Sequence, residues 1–153
     1  MDSRTTVLYV DDNPRSSRLL AGVLEQCGFR IIAKNDPAEA LDLCRRSSFD
    51  LALLDYEMPA ISGSCLAREI KLLMPDLPVV LISGRTGLPA PELEFVDAHF
   101  GFGTSLDDLL WTMRILVTPK VAVQDRQHVP GDRHFPDAHD SSRLMESRWS
   151  DST

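Results

Sequence analysis

Residues 51–63 read LALLDYEMPAISG. Together with Asp50 they begin as a nearly all-apolar run, Asp50–Leu54, with no polar alternation, which is the pattern of a central strand covered on both faces. The run stops at Asp55, and a turn-rich loop from Tyr56 to Gly63 leads into helical spacing that continues to about Leu73. A strand that hands a carboxylate to a loop before a helix is the front half of a βα unit. In open sheets built from such units, ligands bind beyond the carboxyl ends of the strands.

The same grammar recurs on both sides of this stretch. Upstream, Thr6–Val10 (TVLYV) reads as a short buried strand that ends in Asp11-Asp12-Asn13-Pro14. Asn13 is a good N-cap and Pro14 a good first helical residue. In the helix they open, Leu20, Val23, Leu24 and Cys27 repeat at helical spacing, and Gly28 supplies the stop. Phe29–Ala33 forms a second strand, and Asp36-Pro37 starts a second helix whose buried face carries Ala40, Leu41, Leu43 and Cys44. Downstream, Pro75 and Pro78 punctuate before Val79–Ile82, a strand ending at Ser83-Gly84. Gly87, Pro89 and Pro91 then leave room only for a short fourth helix around Pro91–Val96. Ala98–Phe102 is a weak fifth strand, and Ser105 caps a last helix to Val117 with Leu106, Leu109, Leu110, Met113 and Leu116 as its apolar stripe.

Five βα units with right-handed crossovers must cover both faces of the sheet with helices. The fold class is therefore α/β: a doubly wound, five-stranded parallel sheet with a shortened fourth helix. Its strand order, 2-1-3-4-5, is taken over from known flavodoxin-like sheets.

Composition narrows the function classes. The chain has 153 residues, 43% hydrophobic and 25% charged, as an ordinary soluble domain does. A net charge of −7 with no basic cluster argues against nucleic-acid binding. Cys27, Cys44 and Cys65 are scattered without a CxxC spacing, so neither a disulfide framework nor a zinc site is supported, and a reducing cytoplasm fits. MDSRTT has no apolar signal core, and no run approaches the roughly 20 apolar residues that span a bilayer. Residues 118–153 hold three prolines and three of the four histidines without sustained periodicity. They are expected to form a disordered tail behind a domain at 1–117.

Polar residues at the strand ends carry the chemistry. Strand one delivers Asp11 and Asp12, strand three Asp55, and strand four Ser83 followed by Gly84. With strands one and three as neighbours, three carboxylates converge. They repel one another unless a cation joins them, and a hard, oxygen-seeking ion such as Mg²⁺ answers that need. A carboxylate is also a nucleophile toward phosphorus, and Ser83 can donate its hydroxyl to a phosphoryl oxygen. Singly these features are commonplace, since Asp-Asp before Asn-Pro is often only a turn and a helix start. Their conjunction at three strand ends is not.

With LYVDDNP (8–14), LALLDYEMPAISG (51–63), PVVLISG (78–84) and SLDDLL (105–110), the chain resembles the response-regulator receiver domains over about residues 5–117. The resemblance implies that Asp55 is the phosphoacceptor and that Asp11 and Asp12 form the acidic pair for Mg²⁺, with Asp12 favoured as the direct ligand. It implies a backbone carbonyl ligand from Glu57, a phosphoryl contact from Ser83, a loop shaped by Met58-Pro59 and Gly63, and a switch position at His99. One departure stands out: Phe102 aligns with the lysine that family members usually carry at the end of strand five. The three lysines lie at 34, 71 and 120, out of register, which leaves Arg85 as the candidate replacement cation.

The function implied is that of a single-domain response regulator rather than an enzyme, at most catalysing its own phosphorylation and dephosphorylation. A sensor histidine kinase or phosphotransfer protein would load Asp55, and a downstream protein would read the result. The face made by the fourth helix, fifth strand and fifth helix, with Trp111 and Ile115 off the core stripe, would serve that contact or a homodimer. The alternative is a pseudo-receiver, an interaction module working without phosphorylation, which Phe102 and the short fourth helix motivate.

Overall fold

The computed structural model describes residues 3–101 and 103–118. Five short apolar segments pair in parallel: β1 (Thr6–Val10), β2 (Arg30–Lys34), β3 (Leu51–Asp55), β4 (Val79–Ile82) and β5 (Ala98–Phe100). Their order is β2-β1-β3-β4-β5, as expected. Four α-helices fill the connections: α1 (Pro14–Gln26), α2 (Pro37–Arg46), α3 (Gly63–Leu73) and α4 (Leu106–Leu116). The chain winds outward from β1 to β2 on one side and from β3 through β4 to β5 on the other. The switch point between β1 and β3 is where such a sheet opens a crevice.

Alternation along each strand divides the core into two layers. Leu8, Val10, Ala52, Leu54, Val79 and Leu81 pack beneath Ala40 and Cys44 of α2 and Leu66, Ala67 and Ile70 of α3. Val7, Tyr9, Leu51, Leu53 and Val80 face the other way, onto Leu24 of α1 and Leu109, Leu110 and Met113 of α4. Two aspartates tie down strand starts. Asp50 Oδ2 accepts the Thr6 N–H at 2.8 Å. Asp97 Oδ2 accepts the Val79 N–H at 2.8 Å and pairs with Lys71 Nζ at 2.8 Å.

The helices begin where their capping residues stand. Asn13 Oδ1 accepts the N–H groups of Arg15 at 3.0 Å and Ser16 at 3.4 Å. Ser62 and Ser105 do the same for Cys65 and Asp108. Gly28 ends α1 with φ of 100°, in the left-handed region where a side chain would be strained.

Three expectations change. The short fourth helix is a single 3₁₀ turn, Ala90–Leu93, because the closely spaced prolines allow only one turn. Val23 and Leu106 are exposed, not buried. They line an open groove of about 440 Å³ with Leu19 and Leu20 instead of reaching the sheet. Strand bounds shift too: β2 and β3 each run one residue later than expected, with Phe29 already buried before β2 begins, and β5 ends at Phe100 where a strand to Phe102 was expected. The expected tail lies outside the described residues apart from its first residue, Thr118, as does Phe102. Among the described residues no helix is long and apolar enough to cross a membrane.

Candidate functional site

Parallel register builds the site before any side chain is considered. Val10 stands opposite Leu54 across the β1–β3 pair, so the next residues, Asp11 and Asp55, leave the sheet side by side. Asp12 follows at once, and the three residues offer carboxylate oxygens that all lie within 4.8 Å of one another. The sequence-level expectation that these acids meet agrees with this geometry.

Each acid is held differently. Asp11 is buried, at 5% exposure. Its Oδ1 accepts the Asn13 N–H at 3.0 Å, and its Oδ2 accepts the Tyr9 hydroxyl at 2.8 Å. Its backbone carbonyl accepts from Asn35 Nδ2 at 2.8 Å, which ties the end of β1 to the loop after β2. Asp55 is half-buried, and Oδ1 accepts the Glu57 N–H at 3.3 Å. Burial, then the charge of Asp11, push its carboxyl up from 3.8 to about 6; the Glu57 N–H works against them, while the charges of Asp12 and Glu57 add to the rise. On β1, burial, reinforced by the bond to Asp11 and by the charges of Asp11 and Asp55, pushes the Tyr9 phenol well above its ordinary range.

Ser83 lies at the end of β4 and is buried; its Oγ accepts the Arg85 N–H at 2.9 Å. The Arg85 side chain extends toward the β3 loop, with Nε 3.4 Å from Glu57 Oε1 and its guanidinium carbon 5.8 Å from the centre of the Tyr56 ring. Both ends of that ion pair are at least half exposed, so its net contribution to stability is small. His99 stands on β5 opposite Leu81, and its Nε2 is buried without a hydrogen-bond partner among the described residues. Gly63 is required where it stands, because a Cβ there would run into the Asp55 carbonyl oxygen and Leu81 Cδ1.

The donors suit a hard cation. All are oxygens, and three carboxylates in one place are electrostatically uncomfortable without a positive partner; beside burial, the charges of Asp11 and Asp12 add to the rise at Asp55. Each Asp11 oxygen takes one hydrogen bond, leaving it a further lone pair.

A family model for the response regulator receiver domain matches residues 7–94, more than half of the chain. The chain belongs to the receiver-domain family. Among curated relatives, the receiver is 34% identical over 82 residues to the autoinducer 1 sensor kinase/phosphatase LuxN of Vibrio campbellii, covering 54% of this chain and 10% of LuxN. It is 30% identical over 83 residues to the transcriptional regulatory protein YkoG of Bacillus subtilis, covering 54% of this chain and 36% of YkoG. The receiver thus spans only a minor part of the curated relatives it matches. Among solved structures, it superposes on the response regulator TrrA of Thermotoga maritima in complex with Mg(2+)-BeF. The TM-score is 0.68 at 28% identity, over 73% of this chain and 98% of TrrA. A structure of the histidine kinase ThkA in complex with TrrA matches with TM-score 0.69 at 28% identity, over 74% of this chain and 99% of that one.

Two residues that contact the acids escaped the reading of the receiver's sequence. Tyr9 counts as one more apolar residue in TVLYV, yet it lies two positions before Asp11, and residues two apart on a strand share a face. Asn35 is signalled only by register: β1 and β2 pair Val10 with Lys34, so the residue after Lys34 stands beside Asp11.

Proposed function

We propose that this receiver accepts a phosphoryl group on Asp55 from a histidine kinase or phosphotransfer protein and passes the signal on by protein contact. The observation that carries the reading is the convergence of Asp11, Asp12 and Asp55 at the switch point of the sheet, with Asp55 half-buried beside two like charges. An Asp55 oxygen attacks phosphorus and forms an O–P bond. The P–N bond of the donor phosphohistidine breaks, and its electron pair leaves with the imidazole nitrogen.

The carboxylates of Asp11, Asp12 and Asp55 and the backbone carbonyl of Glu57 would hold Mg²⁺, which would supply positive charge against the carboxylates and the phosphoryl oxygens. Ser83 Oγ already accepts the Arg85 N–H, so its own proton is free for a phosphoryl oxygen. Arg85, at the pocket mouth against Glu57 and Tyr56, contributes a second cation where Phe102 replaces the usual lysine. Lys71 is committed elsewhere, to Asp97 and the Leu77 carbonyl. The Mg(2+)-BeF complex of TrrA and its complex with ThkA support the metal and the kinase partner. His99 serves as the switch position beneath the outgoing surface. Trp111 and Ile115, at 67% and 48% exposure on α4, offer the apolar patch for a downstream partner or a second copy.

The test is incubation with Mg²⁺ and acetyl phosphate, and separately with a phosphorylated phosphotransfer protein, read by intact mass. A gain of one phosphoryl group, lost in Asp55→Asn and in chelator, is expected. No gain from either donor would hand the chain to the reading of an interaction module that works without phosphorylation.

A further inference from the structure

We propose that Tyr9 is a positioning residue for the metal site: its buried hydroxyl fixes the Asp11 carboxylate in the orientation in which Asp11 can ligate a divalent cation. The inference rests on the metal reading given above and deepens it by naming a residue outside the ligand set.

Tyr9 is 1% exposed in β1, where its neighbours Val7, Leu8 and Val10 are fully buried and apolar. A hydroxyl carried to such a place costs free energy unless it is bonded. Its bond is to Asp11 Oδ2, at 2.8 Å. The ring packs in the same layer as Leu24 of α1 and Leu53 of β3, so the phenol oxygen has little freedom to move. Asp11 is gripped from the other side by the Asn13 N–H on Oδ1. Its carboxylate is thus held at both oxygens by groups that belong to the fold and not to a ligand. Partners of this kind orient a ligating carboxylate, and their loss typically lowers metal affinity. Orienting Asp11 before the cation arrives also spares the site an ordering cost on binding.

In the Tyr9→Phe variant the ring and its packing remain while the hydroxyl is lost, so Asp11 Oδ2 is left buried with one bond fewer. The test titrates Mg²⁺ into the full chain by calorimetry near neutral pH, for the wild type, Tyr9→Phe and a control, Leu24→Val. Leu24 is fully buried in the same layer, so its truncation loosens that layer without touching the acids. Far-UV circular dichroism confirms that each variant is folded.

Tyr9→Phe is expected to bind Mg²⁺ about ten- to a hundredfold more weakly, with Leu24→Val close to wild type. Wild-type affinity in Tyr9→Phe overturns the proposal, as does equal weakening in both variants, which would make the effect one of core packing. A wild type that binds no Mg²⁺ removes the metal reading itself, and this inference with it.

Discussion

Replacing Asp55 with Asn should stabilise the metal-free protein, and only above a definable pH. Moving a carboxyl from 3.8 to about 6 means that folding disfavours its ionised form. At about 1.4 kcal/mol per pH unit the full displacement corresponds to about 3 kcal/mol. Asp55 keeps part of its solvent contact, so about 1–2 kcal/mol is the working figure. Below pH 3.8 the side chain is protonated in both folded and unfolded chains, and it carries no penalty. Between 3.8 and about 6 the unfolded chain ionises first, and stability falls as pH rises. Above about 6 both forms are ionised and the penalty is complete. Asn has no charge to desolvate, and the repulsion from Asp11 and Asp12 disappears with it.

The assay is thermal unfolding of wild type and Asp55→Asn in chelator, across a pH series that brackets this window. The variant should melt roughly 4–10 °C higher near neutral pH. The gap should close toward the acid end of the series. Saturating Mg²⁺ should narrow it at neutral pH, because the cation relieves in the wild type the repulsion that the substitution removes. Coincident melting curves near neutral pH would refute the reasoning, and so would a gain that persists undiminished at acid pH.

Gly63→Ala should destabilise by about 1–3 kcal/mol in urea unfolding, because the new methyl group meets the Asp55 carbonyl and Leu81 Cδ1. It should also slow phosphoryl uptake by shifting the backbone that carries Asp55; unchanged stability would show that α3 can yield at its first residue. Alkylation with iodoacetamide near neutral pH, followed by peptide mapping, should label exposed Cys65 first. Cys44 should stay unlabelled until the protein unfolds, since it is buried and burial pushes its thiol up. Early labelling at Cys44 would mean that α2 opens locally.

What the sequence made legible, and what it did not, follows from the range of the forces involved. Five apolar runs and their caps are local signals, and Thr6–Val10, Val79–Ile82 and the starts of α1, α2 and α4 follow from them directly. The meeting of Asp11, Asp12 and Asp55 needed one further fact, that β1 and β3 are neighbours. Periodicity does not contain that fact, so the strand order had to be taken over from related folds. Where a hydrophobic residue points depends on what lies across from it. Val23 and Leu106 keep helical spacing yet line one open groove with Leu19 and Leu20 and stay exposed. The segment before β5 failed in the opposite way: Pro89 and Pro91 interrupt the helix signal, and they leave a single turn at Ala90–Leu93.

Tyr9 shows the deepest limit of pattern reading. Its ring obeys the apolar pattern of the strand, and its hydroxyl obeys the acid two residues on. One side chain therefore serves the core and the site at once, and a hydrophobicity count registers only the first role. The signal was present as a spacing, Tyr followed two positions later by Asp, on a strand where that spacing means a shared face. A buried hydroxyl must find a partner, and at that spacing the nearest acceptor is the carboxylate. Core and pocket meet at that hydrogen bond, so removing the Tyr9 hydroxyl while keeping its ring should disturb Asp11 before it disturbs Asp12 or Asp55.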